Sequence, residues 1–357
     1  MDRILTVVGA RPQFVKAAPL AAALRKRFQH ILLHTGQHFD DAMSGSFFRE
    51  LKIPKPQIHL GIAGGLHGSM TGAMLSAIET ELLRVRPRLV VVLGDTNSTL
   101  AGALAAAKLQ IPVAHVEAGL RSFDMAMPEE INRRLTDHIS TLLFCPTRLA
   151  QQNLAREGVR KGVSVVGDVM TDVLNKMRKP GRAALRLMDL PHDFYFATVH
   201  RQENTDDRTR LSGILEGLGK LPHLVVFPLH PRTRNRLKTF RLKIPPNLRV
   251  LGPVSYTQSI GLGLGARAVL TDSGGLQKEA FLLGTPCVTL RDTTEWTETL
   301  KGGANRLVGA KEKAIVRAIR MIERNPPVVK PGLVYGDGRT ADRIALSIRR
   351  YLDLAKK

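Results

Sequence analysis

Short apolar runs rich in β-branched residues recur along the whole chain, and helix-length amphipathic segments separate them. In the first half the runs occupy 3–8, 31–34, 88–93, 112–116, 141–145 and 163–166. In the second half they occupy 194–199, 223–229, 248–251, 267–271, 286–290 and 305–308. Runs without strict polar alternation are strands buried on both faces, and helical connections between them imply right-handed crossovers in parallel sheets. The expected fold class is therefore α/β, with two Rossmann-like parallel-sheet domains. A length of 357 residues suits two cores better than one. The polar, proline-containing stretch 176–193 is the best linker candidate. The expected domains are 1–175 and 176–338, with the helical pattern in 339–357 crossing back to the first domain.

Ligands of open parallel sheets bind beyond the carboxyl ends of the strands, and the unusual residues of this chain cluster there. Arg11 follows the first run, Gly94-Asp95-Thr96-Asn97 follows 88–93, and Glu117-Ala118-Gly119-Leu120-Arg121 follows 112–116. In the second half, His200 to Asn204, His230-Pro231-Arg232 and Asp272-Ser273-Gly274-Gly275 each follow a run. These strand ends are expected to point at one cleft. The segment GARPQFVK, residues 9–16, reads as a tight turn and a helix start bearing Arg11 and Lys16, a seat for a phosphate-like anion. Caps and turns would explain any one of these residues alone. Two acids and several cations gathered at strand ends make a purely structural account improbable. The glycines of Gly261-Leu262-Gly263-Leu264-Gly265 precede a strand rather than follow one, so they fail as a dinucleotide fingerprint. No Walker A sequence or metal-ligand spacing appears.

The formal net charge of +22 raises the question of nucleic acid. The cations are dispersed over presumed outer helix faces, as in Arg25-Lys26-Arg27, Arg236-Lys238 and Arg349-Arg350, and no aromatic stacking motif accompanies them. Nucleic acid is not the expected partner. Cys145 and Cys287 lie in apolar runs and read as buried thiols of a reducing compartment. With no run near the roughly 18 apolar residues of a membrane span and no signal-peptide pattern, a soluble cytoplasmic protein with no membrane partner is expected.

Seven motifs, in order along nearly the whole chain, resemble the non-hydrolysing UDP-N-acetylglucosamine 2-epimerase family. They are GARPQFVK, HTGQHFD at 34–40, GDTNSTLAG at 94–102, HVEAGLRSFDMAMPEEINR at 115–133, HRQEN at 200–204, TDSGGLQKEA at 271–280 and RDTTE at 291–295. The variants GARPQF, MPEEINR, HRQENTDD and TEW look closer to the branch acting on UDP-2,3-diacetamido-2,3-dideoxyglucuronate. The resemblance implies a glycosyltransferase-B architecture, no nicotinamide or other cofactor, a homodimer and a product that feeds surface polysaccharide synthesis. It makes Arg11 and Lys16 contacts for the nucleotide sugar, with Asp95, Glu117, Glu129 and Arg133 on the sugar side. His200, Ser273, Gly274, Gly275 and Glu279 match the positions that hold UDP, Glu279 taking the ribose hydroxyls.

Such chemistry needs these residue types. No carbonyl acidifies the C2–H bond of the sugar, so loss of UDP from C1 must supply the acidity and leave a 2-acetamidoglucal. Inversion then needs proton transfer on opposite faces of C2, for which Asp95, Glu117 and Glu129 are the candidates. Arg11, Lys16 and His200 would stabilise the departing diphosphate. Three departures from the common pattern stand out: Gln13 where Glu is usual, Trp296 where many members have a substrate-contacting Arg, and a region 64–72 without the usual Gln-rich form linked to allosteric substrate binding. The competing readings are a UDP-sugar glycosyltransferase of the same architecture, a hydrolysing 2-epimerase and a non-catalytic UDP-sugar binding module.

Overall fold

The computed structural model describes residues 1–37 (Arg11 through its backbone), 50, 53, 55–329, 331 and 334–355. The chain divides into two compact units, one formed by 1–175 and 333–357 and the other by 176–332.

In the first unit the elements run β1 (Arg3–Val8), α1 (Arg11–Arg25), β2 (Gln29–His34), β3 (Ile58–His59), α2 (His67–Val85), β4 (Leu89–Leu93), α3 (Asn97–Lys108), β5 (Val113–Val116), α4 (Pro128–Ile139), β6 (Leu142–Cys145), α5 (Arg148–Arg156) and β7 (Val163–Val165), followed by α6 (Val169–Arg186), in which the boundary between the units falls. The strands form one parallel sheet in the order β3-β2-β1-β4-β5-β6-β7. Its side chains alternate between two cores, as the two-residue period of a strand requires. Ile4, Val8, Leu89, Val91 and Leu93 pack with Phe14, Leu20 and Leu24 of α1. Leu5, Val7, Val90 and Val92 pack on the other face with Met74, Ile78 and Leu82 of α2 and the alanines of α3. The small residues of α3 let it lie close to the sheet: a Cβ on Gly102 would stand 3.0 Å from Val7 Cγ2.

The second unit continues with β8 (Phe194–Thr198), α7 (Gln202–Thr205), α8 (Arg208–Gly219), β9 (Leu224–Pro228), α9 (Pro231–Thr239), β10 (Leu248–Leu251), α10 (Tyr256–Gly265), β11 (Val269–Thr271), α11 (Gly274–Leu283), β12 (Cys287–Thr289), a 3-10 turn (Thr297–Gly303), β13 (Asn305–Leu307) and α12 (Glu312–Arg324). Its parallel sheet has the order β10-β9-β8-β11-β12-β13. Tyr195, Ala197, Val225 and Phe227 enter a core with α8 and α12, while Phe194, Phe196 and Val226 enter one with α10 and α11. The α/β class and the two parallel sheets agree with the expectation. Each sequence run coincides with a strand within two residues at either end, and the two-residue β3 is the strand that the runs do not contain.

The stretch expected to be a linker differs. Residues 176–186 are the second part of α6, with Pro180 inside the helix. Leu174 and Met177 are buried and Gly181 meets α10 so closely that a Cβ on Gly261 would stand 2.4 Å from its carbonyl oxygen. A tight helix crossing, not a dinucleotide turn, is what these glycines serve.

The last helix, α13 (Thr340–Leu354), belongs to the first unit, where Ile344, Ile348 and Leu352 enter the core beside α1. Buried Asp172 of α6 accepts the Thr340 and Ala341 amides at 3.0 and 2.8 Å, and Arg349 donates to the Arg27 carbonyl at 2.6 Å. Asp172 thus satisfies amides that a helix start leaves without partners. Replacing Asp172 with Ala is expected to lower the unfolding free energy by about 1 to 3 kcal/mol, read as an earlier midpoint in urea.

Candidate functional site

Each buried strand must release its polar backbone at its carboxyl end, and in the first unit those ends are locked together by side chains. Gly9 ends β1 where a Cβ would lie 2.1 Å from both Ser98 Oγ and Thr35 Oγ1, so only glycine fits. Gln13, in the first turn of α1, is 1% exposed. Its Oε1 accepts from the Gly9 and Ala10 amides at 2.7 and 2.9 Å, and its Nε2 donates to the Leu93 carbonyl and Thr99 Oγ1 at 2.8 and 2.9 Å. Gln13 therefore ties the end of β1 to the end of β4 rather than presenting an altered charge to a ligand. A Glu carboxylate could accept the amide bonds but has no proton for the Leu93 carbonyl.

Lys16, one turn further along α1, pairs with Glu117 at the end of β5. Glu117 holds φ at 72°, a left-handed conformation that costs a non-glycine residue energy and is found where a side chain must be aimed. The pair sits over Gly94, whose φ is 65°: a Cβ there would be 3.5 Å from Glu117 Oε2 and 3.8 Å from Lys16 Nζ. The next residue, Asp95, takes two bonds from Arg133 of α4, at 2.9 Å from Nε and 2.6 Å from Nη2. Asn132 holds the Asp95 carbonyl at 2.9 Å. Lys16, Asp95, Glu117 and Arg133 thus gather at the carboxyl ends of the neighbouring central strands β4 and β5.

Glu129 stands apart, exposed in the first turn of α4 with no ion pair among the described residues. Its neighbour Glu130 is fully buried and accepts from Ser122 N and Oγ, Arg133 and Arg134. Burial opposes ionisation of Glu130, but bonds from Ser122 and the two guanidinium groups outweigh it and hold the carboxyl below its ordinary value. Arg11 opens α1, and its side chain lies outside the described part of the structure, as do residues 38–40 of the HTGQHFD motif.

Behind these strand ends lies a fully buried pair. His115 of β5 meets Asp137 of α4 at 2.7 Å through Nδ1 and the Gly94 carbonyl at 2.8 Å through Nε2. Asp137 also accepts from the Gly119 amide at 3.1 Å and from Arg121 at 2.7 Å, and Arg121 reaches Glu157 at 2.7 and 2.8 Å. Burial opposes the Asp137 charge, yet His115 and Arg121 overcome it and hold the carboxyl below its usual range.

In the second unit the organising group is Asp272, fully buried after β11. It accepts from the His200 amide at 3.0 Å, the Arg201 amide at 2.9 Å and Asn204 Nδ2 at 3.2 Å, and lies 3.3 Å from His200 Nδ1. The His200 ring is more than a third exposed and its centroid is 5.5 Å from that of His230. Ser273 caps α11 by accepting from the Leu276 amide at 3.3 Å, which leaves Gly274 and Gly275 as the first helical residues. A Cβ on Gly274 would lie 2.3 Å from Glu295 Oε1, while Glu295 Oε2 accepts from Arg291 at 2.9 Å. Such a helix start, with glycines that admit close approach, suits an anionic group. Glu279, one turn on, accepts from the Tyr256 hydroxyl at 3.1 Å. Trp296 is buried, with the equally buried Lys278 ammonium 4.0 Å over its ring, so the residue standing where many members have Arg packs against a cation of α11.

Sequence reasoning missed Asp137, His115 and Asp272 as organisers. His115 and Asp272 lay within quoted motifs, but what marks them is a partner 22 or some 70 residues away. Among the described residues no group of three or more His, Cys, Asp or Glu side chains could hold a metal ion, and no helix is long and apolar enough to cross a membrane.

Comparison with known proteins follows the same lines. A family model described as UDP-N-acetylglucosamine 2-epimerase matches residues 21–349. A UDP-2,3-diacetamido-2,3-dideoxy-D-glucuronate 2-epimerase of Pseudomonas aeruginosa is 50% identical over 353 residues, covering 96% of this chain and 98% of its own. A UDP-N-acetylglucosamine 2-epimerase of Methanocaldococcus jannaschii is 42% identical over 359 residues, covering 96% and 97%. The crystal structure of a UDP-GlcNAc 2-epimerase from that organism, in complex with UDP-GlcNAc and UDP, superposes with a TM-score of 0.89 at 42% identity, covering 98% of this chain and 99% of that one.

The locks at the strand ends make two expectations. Gln13→Leu strips the Gly9 and Ala10 amides of their acceptor, while the Leu93 carbonyl keeps its bond from Thr99 Oγ1 at 2.7 Å, and should cost about 1 to 3 kcal/mol for each amide left buried, seen as a lower melting temperature. Because the native Asp137 and Glu130 carboxyls are held below their unfolded values, their stabilisation is complete above roughly pH 5 and is lost as pH falls below the unfolded values and through the lower native ones. Unfolding free energy measured against pH should therefore fall steeply in acid, and Asp137→Asn should be less stable at pH 7 with a shallower acid slope.

Proposed function

Because the chain belongs to the UDP-N-acetylglucosamine 2-epimerase family, we propose that it inverts C2 of a UDP-linked 2-acetamido sugar without net hydrolysis. The observation that carries this reading is the pairing of two acids with two cations at the carboxyl ends of β4 and β5, Glu117 with Lys16 and Asp95 with Arg133. Inversion at an unactivated carbon needs one carboxylate to take the C2 proton and a second, protonated carboxyl to deliver one from the opposite face, with cations that orient both.

The reaction proceeds by elimination. An acid of the first unit takes the C2 proton, the C1=C2 bond forms and the C1–O bond breaks with its electrons leaving on UDP. A second acid then protonates C2 from the opposite face, and the diphosphate oxygen re-adds to C1. Asp95, Glu117 and Glu129 are the proton-transfer groups of this proposal, with Arg11, Lys16 and Arg133 binding substrate. In the second unit the amides of Gly274 and Gly275 receive the diphosphate, Ser273 and Glu279 hold the nucleoside part, and His200 offsets the charge of the departing group.

The 50% identity to the diacetamido-glucuronate enzyme, against 42% to the Methanocaldococcus enzyme, favours the diacetamido uronate as substrate, with UDP-N-acetylglucosamine as the second candidate. A cytoplasmic homodimer supplying surface polysaccharide synthesis completes the proposal, its oligomeric part open to light scattering after size exclusion.

A proton NMR time course in D₂O, with each UDP-sugar in turn and no added cofactor, should show deuterium entering C2 as a manno-configured product grows. Absence of exchange with both sugars would overturn the reading. Asp95→Asn, Glu117→Gln and His200→Ala should each slow turnover by at least about tenfold while the protein stays folded, and near-normal rates in all three would remove the site assignment.

A further inference from the structure

We infer that His115 is a positioning residue, held as a buried imidazolium that sets the two strand-end loops carrying Asp95 and Glu117. The catalytic consequence rests on the epimerase reading; the charge state rests on geometry alone.

Both ring nitrogens of His115 face groups that can only accept. Nδ1 lies 2.7 Å from the Asp137 carboxylate, and Nε2 lies 2.8 Å from the Gly94 carbonyl oxygen. A neutral imidazole has one N–H and one lone pair, so either tautomer would aim a lone pair at an acceptor within hydrogen-bond distance. In a site with no exposure, where water cannot relieve the clash, two N–H donors satisfy both contacts. The charge is matched. Asp137 lies between His115 and Arg121, and Arg121 is in turn bound by Glu157, so an alternating chain of cation and anion runs through the interior. On the sheet His115 is flanked by Val92 of β4 and Leu143 of β6, neither of which carries charge, and burial pushes the Cys145 thiol of β6, which Asp137 and Arg121 also act on, up to about 12.

The two ends of this chain of contacts explain what it does. Nε2 grips the carbonyl of Gly94, the residue immediately before Asp95, and Asp137 grips the amide of Gly119, two residues after Glu117. Gly94, Glu117 and Gly119 all have positive φ, 65°, 72° and 78°. Left-handed turns of this kind have close alternatives by peptide rotation, and one buried group bonded to both loops selects a single one. A Cβ on Gly119 would meet the Ala150 carbonyl at 2.2 Å, so that loop has no room to move as a block. Losing the Gly94 bond frees the peptide that aims Asp95, whereas the ligand contacts of the second unit are untouched.

The test has two readouts on the full-length protein. In wild-type protein labelled with ¹⁵N-histidine, the His115 nitrogens should both show the shifts and couplings of protonated imidazolium at neutral pH, and a lone-pair nitrogen there would overturn the charge assignment. In His115→Asn, turnover per natively folded molecule, counted from the thermal unfolding amplitude, should fall at least about tenfold with KM within about threefold. Exposed His138→Gln should behave as wild type. Unchanged turnover in the folded fraction would reduce His115 to a stability role and overturn the inference. Should His115→Asn fail to fold, the near-isosteric Asp137→Asn removes the partner charge and the same split is read. C2 exchange by the wild type is measured first: its absence would refute the epimerase reading, while exchange by wild type with unaltered variants would refute only this inference.

Discussion

A parallel sheet covered by helices on both faces makes every unpartnered polar group costly, and that cost organises this protein. The β4 segment Leu89–Leu93 is fully buried along its whole length, so polar chemistry is displaced from that strand to the turn that begins at Gly94. The same holds for β11, where Val269–Thr271 is buried and the polar sequence starts at Asp272. Strand ends become sites because charged groups there can meet a ligand, whereas charge within the sheet, as at His115, is fully paired and enclosed.

Tolerated charge still has to be held. In the first unit the loops after β1, β4 and β5 are fixed from behind by buried side chains bonded to backbone: Gln13 to Gly9, Ala10 and Leu93, and His115 with Asp137 to Gly94 and Gly119. In the second, Asp272 performs the equivalent task for the amides of His200 and Arg201. The groups at the front, Lys16 with Glu117 and Arg133 with Asp95, inherit their aim from these supports. A site built in this way is preorganised, its orientation set during folding rather than at the moment of reaction.

The fold was legible in the residues, as was the gathering of polar residues just beyond the strands. Long apolar runs mark strands such as Arg3–Val8 and Leu89–Leu93 because double burial forbids polar interruption. The two-residue strand Ile58–His59 is too short to carry a period. Residues 176–186 read as linker because polar residues and Pro180 dominate them, yet a few apolar side chains and the Gly181 crossing suffice for a helix once α10 is present. Glu129 and Glu130 are indistinguishable in sequence, and only the rotation of α4 turns one to solvent and the other into a buried cluster.

The sequence by itself determined the α/β class, the strand positions and the family, since periodicity and ordered motifs are local and survive without knowledge of what packs where. Tertiary structure decided which polar residues support and which are presented. Gln13 became a backbone lock, Asp272 an anchor and His115 a doubly donating cation because their partners arrive from strands and helices distant in the chain. The physical reason is that a hydrogen bond or ion pair depends on separation in space, and folding brings together groups that the linear order leaves far apart.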